Sequence, residues 1–139
     1  MQPVLRPNPQ LNQIGETTAK YTGVGDKVRF FDCKFEDFIS DRTYDLVFSL
    51  AAFFTADGRE RENAQAYFGR IFDFLNPGGR LFYESTSFLI HNEGKIDPHQ
   101  TASEETAVAI SAQAVIQKDW TEQTGDQGGN RRFILAAKH

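Results

Sequence analysis

The sequence predicts an α/β fold, with a mostly parallel sheet closed by a C-terminal antiparallel hairpin. Two stretches and the segment between them carry that prediction. Tyr44-Asp45-Leu46-Val47-Phe48-Ser49-Leu50 is a nearly continuous apolar run, the pattern of a central strand covered on both faces. Leu75-Asn76-Pro77-Gly78-Gly79-Arg80-Leu81-Phe82-Tyr83-Glu84 sets a Pro-Gly-Gly turn ahead of a second apolar strand, Arg80 to Thr86. Between the two, Ala64, Tyr67, Phe68, Ile71, Phe72 and Leu75 recur at spacings of three and four, so a helix from Arg59 to Leu75 buries one face. Strand, helix, turn and strand in that order form a βαβ unit, whose functional loops lie at the C-terminal ends of the strands.

The remaining elements follow from local signals. Val4 and Leu5 close a first strand, and Asn8 with Pro9 reads as an N-cap followed by proline at the first helical position. That helix runs to Lys20 on a thin apolar stripe, Leu11 and Ile14 with Tyr21 beyond, and Gly23 and Gly25 end it. Lys27 to Cys33, rich in Val and Phe, is the next strand. A polar stretch from Ser87 to Thr101 reads as a long loop, after which Ser103 caps a helix from Glu104 to Gln113. Ala114 to Thr121 and Arg131 to Lys138 form the terminal hairpin, with Trp120 in the core. A single domain over residues 1–139 accommodates this order.

Composition narrows the function. Thirteen Phe against one Trp and four Tyr give an aromatic core to an ordinary globular chain. The net charge is −4, and Arg59, Arg61 and Arg70 are interleaved with Glu60 and Glu62, so there is no basic stripe to neutralise phosphates and nucleic acid is not the expected partner. One cysteine, Cys33, makes no internal disulfide, and the opening residues lack the apolar core of a signal peptide. The longest apolar stretch, Leu46 to Phe54, is too short to span a bilayer, so a soluble cytoplasmic protein is expected. No G-x-G-x-x-G or G-x-x-x-x-G-K loop occurs.

The order of elements, with Tyr44-Asp45-Leu46-Val47-Phe48-Ser49 as a fourth-strand motif and Leu75-Asn76-Pro77-Gly78-Gly79-Arg80-Leu81 as a helix-to-fifth-strand motif, resembles the class I S-adenosylmethionine-dependent methyltransferases. The closing hairpin is similar to that family's sixth and seventh strands. The resemblance covers the chain from Val4 onward and implies a Rossmann-like methyltransferase sheet that is N-terminally truncated, because no residues supply the family's first strand and glycine-rich cofactor turn. It implies a transferase using S-adenosylmethionine on a small-molecule acceptor, impaired or incomplete as this chain. A noncatalytic oligomeric interaction protein that keeps the scaffold is the alternative, and an unrelated doubly wound nucleotide-binding protein is a third reading.

Site residues follow from the same resemblance. The family's ribose-binding acidic residue falls on Arg6, which cannot accept hydroxyl hydrogen bonds. Its adenine-proximal carboxylate falls at Lys34, with Glu36 and Asp37 close by, so Phe35 and Glu36 would frame an adenine ring, and Ser49, Leu50 and Ala51 would line the cofactor after the fourth strand. Phe53, Phe54, Glu84 and His91 are the candidate acceptor-binding residues, His91 as a loop base; no residue is singled out as catalytic, because methyl transfer from a sulfonium depends mainly on alignment. The bland alternatives are a capped strand end for Ser49 and Glu84, core contacts for Phe53 and Phe54, and exposed loop histidines for His91 and His99. His91 and His99 match no metal-ligand spacing, so no metal is expected. Cys33 reads as a small buried hydrophobe. The missing first strand would leave Tyr44 to Leu50 with an unpaired edge, which predicts a homodimer or larger oligomer through that strand, or cover by the arm Met1 to Gly25.

Overall fold

The computed structural model describes residues 2–52, 63–90, 93–124 and 129–139. They form two compact units, Met1–Asp41 and Arg42–His139, each taken by itself below.

The first unit is a parallel strand pair joined by a helix: β1 (Gln2–Leu5), α1 (Pro9–Tyr21) and β2 (Val28–Phe31), in register from Gln2 opposite Val28 to Leu5 opposite Phe31. Asn8 caps α1 as its sequence predicts, its side-chain oxygen accepting from the Leu11 amide at 3.0 Å, with Pro9 in the first turn. The buried stripe of α1 is small and partly polar. Asn12 and Ala19 are buried, and between them a Cβ on Gly15 would lie 2.5 Å from the Phe30 ring, so glycine admits the close approach of helix to strand. The predicted apolar stripe is instead exposed, Ile14 at 62%. β2 ends at Phe31 rather than Cys33. Its partner β1 turns away at Pro7, and the amide of Arg6 makes the last link, to the Phe31 carbonyl at 3.1 Å, so no backbone remains for residues 32–33 to pair with. The chain then makes a 3-10 turn, Phe35–Asp37, that returns Phe38 to the edge of the Phe31 ring, 5.3 Å between centroids.

The second unit is a four-stranded sheet with two helices: β3 (Tyr44–Leu50), α2 (Ala64–Asp73), β4 (Leu75–Glu84), α3 (Pro98–Ser111), β5 (Ala114–Gln123) and β6 (Asn130–Lys138). The strand order is β3-β4-β6-β5. β3 and β4 are parallel, and β6 returns antiparallel between β4 and β5, the terminal hairpin that the sequence predicts. No helix among the described residues is long and apolar enough to cross a membrane.

The α2 stripe is the one read from the sequence: Tyr67, Phe68, Ile71 and Phe72 are buried, and the Asn63 side chain caps the helix through the Ala66 amide at 2.8 Å. Residues 59–62 of the predicted helix lie outside the described residues. At its far end, the Lys138 ammonium donates to the carbonyls of Phe72 and Leu75 at 2.6 and 2.9 Å, placing a cation at the negative end of the helix dipole.

The Pro-Gly-Gly turn sits inside β4 rather than before it. Leu75 pairs with Tyr44 and Arg80 with Leu46, so Asn76-Pro77-Gly78-Gly79 is looped out as a bulge. Asn76 clasps the loop to β3, donating to Asp45 at 2.8 Å and accepting from the Thr43 hydroxyl. Gly78 has φ +75°, and a Cβ on Gly79 would meet the Asn76 carbonyl oxygen at 2.8 Å and that of Tyr44 at 3.2 Å. Because those atoms are backbone, Gly79→Ala is expected to cost about 1–3 kcal/mol, read as a lower urea midpoint with unchanged slope; an unchanged midpoint would show that the bulge is free to relax.

The helix α3 corrects a second expectation. It begins at Pro98, not after Ser103, and Asp97 is its cap, accepting from the amides of His99 and Leu89, both at 2.9 Å. Ser103 is buried within the helix, its hydroxyl donating to the Gln100 carbonyl at 2.8 Å. The predicted loop is thus helical from Pro98 onward.

Both helices cover one face of the sheet, where Ser49, Leu81, Tyr83, Ala114, Ile134 and Ala136 are buried. The other face, uncovered within this unit, bears Leu46, Phe48, Leu50 and Val115, with Phe48 60% exposed. On it Phe48, Phe82, Phe133 and Trp120 form an aromatic row, Trp120 stacked on Phe133 at 5.2 Å, so Trp120 is a half-buried face residue rather than core. This corrects the pattern reading of Tyr44–Leu50 as a central strand covered on both faces, and it places the strand at the edge that the resemblance implied. Among the described residues, β3 is an edge strand with one covered face, because strand order, not hydrophobicity, decides which strand is central.

Candidate functional site

In parallel sheets the chemistry gathers at the C-terminal ends of the strands. Each unit presents one such end. In the second unit, Leu50 pairs with Glu84, and the Ala51 amide donates to the Glu84 carbonyl at 2.9 Å, so β3 and β4 finish side by side. Ala51 has φ +50°, a left-handed conformation that a Cβ disfavours by about 1–2 kcal/mol. This strained residue lies just past the strand end. Strain of this kind clusters where backbone placement matters to function.

The side chains there divide into two groups. Leu50 is exposed, whereas Ser49 is buried, its hydroxyl 3.0 Å from the Tyr67 hydroxyl beneath α2. Ser49 therefore serves the core with its side chain. Glu84 is held by Arg131 at 2.6 Å, with both side chains partly exposed, so its carboxylate is paired rather than poised as a base. The Ser85 hydroxyl, buried, accepts from the Arg132 amide and donates to the Thr86 carbonyl, both at 2.9 Å. Below it Arg132 grips Asp119 through two hydrogen bonds at 2.7 and 2.8 Å, which raise the guanidinium's pKa further. Phe53, Phe54 and His91 lie outside the described residues. His99, expected in a loop, stands in the first turn of α3.

The first unit brings together residues that sequence reasoning missed. Because β2 stops at Phe31, the first residue past the strand is Asp32, an acid, and not Lys34. Asn12, 3% exposed, points its amide nitrogen into the same place: it donates to the Arg6 carbonyl at 2.8 Å, to the Phe31 carbonyl at 3.4 Å and to the Asp32 carboxylate. Phe35 and Glu36, half-buried, follow in the 3-10 turn. Arg6, the first residue past β1, is exposed. The signal for Asp32 was Pro7, which stops β1 and so limits the length of β2. Cys33, expected to be buried, is half-buried, and burial, then the nearby Asp37 and Asp32 carboxylates, raises its thiol's pKa. Among the described residues no group of three His, Cys, Asp or Glu could hold a metal ion.

No family model and no curated protein sequence matches the chain. Solved structures do. The chain is similar to the N-methyltransferase NodS from Bradyrhizobium japonicum WM9, with 13% identity and a TM-score of 0.67, covering 98% of this chain and 72% of that one. It is similar to a geranyl diphosphate methyltransferase in complex with S-adenosylmethionine (TM-score 0.70, 13% identity, 99% and 68% covered). A third is the O-methyltransferase from Bacillus cereus in complex with S-adenosylhomocysteine (TM-score 0.66, 16% identity, 99% and 62% covered). Nearly all of this chain is matched in each case, and it spans between 62% and 72% of their length. The resemblance read from the two strand motifs is thus met at the level of architecture: the chain has the Rossmann-like α/β fold of these methyltransferases.

Proposed function

We propose that the chain is an S-adenosylmethionine-dependent methyltransferase domain acting on a small-molecule acceptor. The observation that carries this reading is the fold itself, matched over 98–99% of the chain by methyltransferases, two of them holding the cofactor or its demethylated product.

The residues fit the cofactor's adenine end. Asp32 offers a carboxylate to an exocyclic amine, and Phe35 and Glu36 lie within five residues of it in the following turn. The ribose end does not fit at Arg6, whose guanidinium has donors only, so no role is assigned there. When bound, the cofactor would supply an activated methyl group on a sulfonium. The chain's own contribution is placement: Leu50 and the strained Ala51 set the end of β3 against Glu84 of β4, and Arg131 neutralises that carboxylate.

Titrating the intact chain with S-adenosylhomocysteine in a calorimeter tests this. Saturable binding at micromolar affinity is expected. A folded protein that releases no heat up to millimolar ligand overturns the reading and leaves the noncatalytic scaffold. One observation favours an assembly in either case: the long apolar edge of β3, along which we propose that two copies pair.

A further inference from the structure

Asn12 is the anomaly of the first unit. It stands on the buried stripe of α1, in line with Gly15 and Ala19, where the helix packs on its strand and an apolar residue would serve. Its nitrogen is fully used by the Arg6 carbonyl, the Phe31 carbonyl and the Asp32 carboxylate. Its oxygen, Oδ1, is buried without a hydrogen-bond partner. The reverse assignment of the amide would set an oxygen against three acceptors, so the orientation is fixed by its surroundings. A buried acceptor left unpaired destabilises a fold, and a leucine of similar size would avoid that cost. The bonds its nitrogen makes and the cost of its orphan oxygen oppose one another, so stability alone does not account for an asparagine here.

What the asparagine does is join the ends of both strands. The Arg6 carbonyl belongs to the turn after β1, the Phe31 carbonyl to the last residue of β2, and Asp32 to the turn after it. One amide group thereby fixes the backbone at both strand ends and the rotamer of the carboxylate. Asp32 is exposed, so without this bond its side chain would sample several rotamers in water.

We propose that Asn12 is a positioning residue for the Asp32 carboxylate, aiming it at the exocyclic amine of the bound adenine; this rests on the cofactor-binding reading above. Asn12 itself touches no ligand. Its effect is to make recognition of an amino group, as against a carbonyl, depend on a fixed acceptor.

The test compares S-adenosylhomocysteine with S-inosylhomocysteine, which carries a carbonyl in place of the adenine amino group, by calorimetry on the intact chain. The unaltered protein is expected to prefer the adenosine form by about tenfold. Asn12→Leu should weaken that form by about fivefold to tenfold and leave the inosine form within about twofold. Asp32→Asn, at an exposed position where folding is not at issue, should abolish the same preference, and the double variant should lose no more than either single one. Equal weakening of both analogues in Asn12→Leu would overturn the proposal in favour of a purely structural role. So would an intact preference in either variant. An unaltered protein that binds neither analogue overturns the cofactor reading and this assignment with it, whereas binding with no loss of preference overturns the assignment alone.

Discussion

Phe68→Ala is expected to lower the stability of the second unit by about 3–5 kcal/mol, against a typical total of about 5–15 kcal/mol for a domain. Phe68 is fully buried, and its ring sits edge-on between Tyr67 at 5.0 Å and Tyr83 at 5.5 Å, so it joins α2 to β4. Truncation removes the transfer energy of a whole ring and both edge-to-face contacts, and it leaves a cavity. The walls of that cavity are the backbone of α2, held by the Asn63 cap and by Lys138, and a sheet, so collapse around the gap is limited. The Ser49–Tyr67 hydroxyl pair lies beside it and loses its support as Tyr67 shifts. Urea unfolding followed by Trp120, the single tryptophan of the chain, reads the effect within the same unit. Leu46→Ala, on the open face at 47% exposure, is the reference, with an expected loss of about 1 kcal/mol or less. A Phe68→Ala loss no larger than that reference would mean that the sheet is not anchored through α2.

The contrast between these two positions explains how far the sequence could be read. A run such as Tyr44–Leu50 announces a strand because every residue is compatible with burial, and the spacing of Tyr67, Phe68, Ile71 and Phe72 announces a helix face because large apolar side chains recur on it. The terminal hairpin was legible for the same reason. What the local pattern lacks is the neighbour. Whether β3 is central or at an edge depends on which strands pair beside it, and where β2 ends depends on the length of β1. That second dependence puts Asp32, rather than Lys34, directly past the strand end, and it concealed Asn12, whose bonds exist only once both strand ends are adjacent. The start of α3 was hidden differently: its buried positions are Ala102, Ser103, Thr106, Ala109 and Ile110, too small and polar to give a hydrophobic period, although Asp97-Pro98 was a cap signal in plain view. Among the site residues, position along the chain placed Leu50 and Ala51 at a strand end, but it did not reveal that the Ser49 hydroxyl turns into the core or that Glu84 is paired with Arg131.

The proposed pairing of two copies along β3 makes the second large prediction. Ala51 donates its amide inward to Glu84, so by the alternation of a strand the amides of Val47 and Ser49 also point inward and those of Leu46, Phe48 and Leu50 point outward from the edge. The outward backbone groups and the exposed apolar side chains thus belong to the same three residues. An isologous antiparallel contact of β3 with its copy would satisfy the first and continue the aromatic row of Phe48 and Phe82 across the two-fold axis. Sedimentation at micromolar concentration is expected to show a dimer, and Phe48→Lys to shift it to monomer, with a dissociation constant raised by about 100-fold or more, since a charge on an edge strand must be desolvated for the strands to join. The substitution replaces a ring that is 60% exposed, so the monomer should remain folded, with its far-ultraviolet circular dichroism unchanged. A monomeric unaltered protein would refute the pairing, and so would a Phe48→Lys dimer of undiminished affinity. If the dimer forms, its dependence on Phe48 separates edge pairing from association through the exposed stripe of α1, where Ile14→Lys would be the substitution that dissociates it and Phe48→Lys would not.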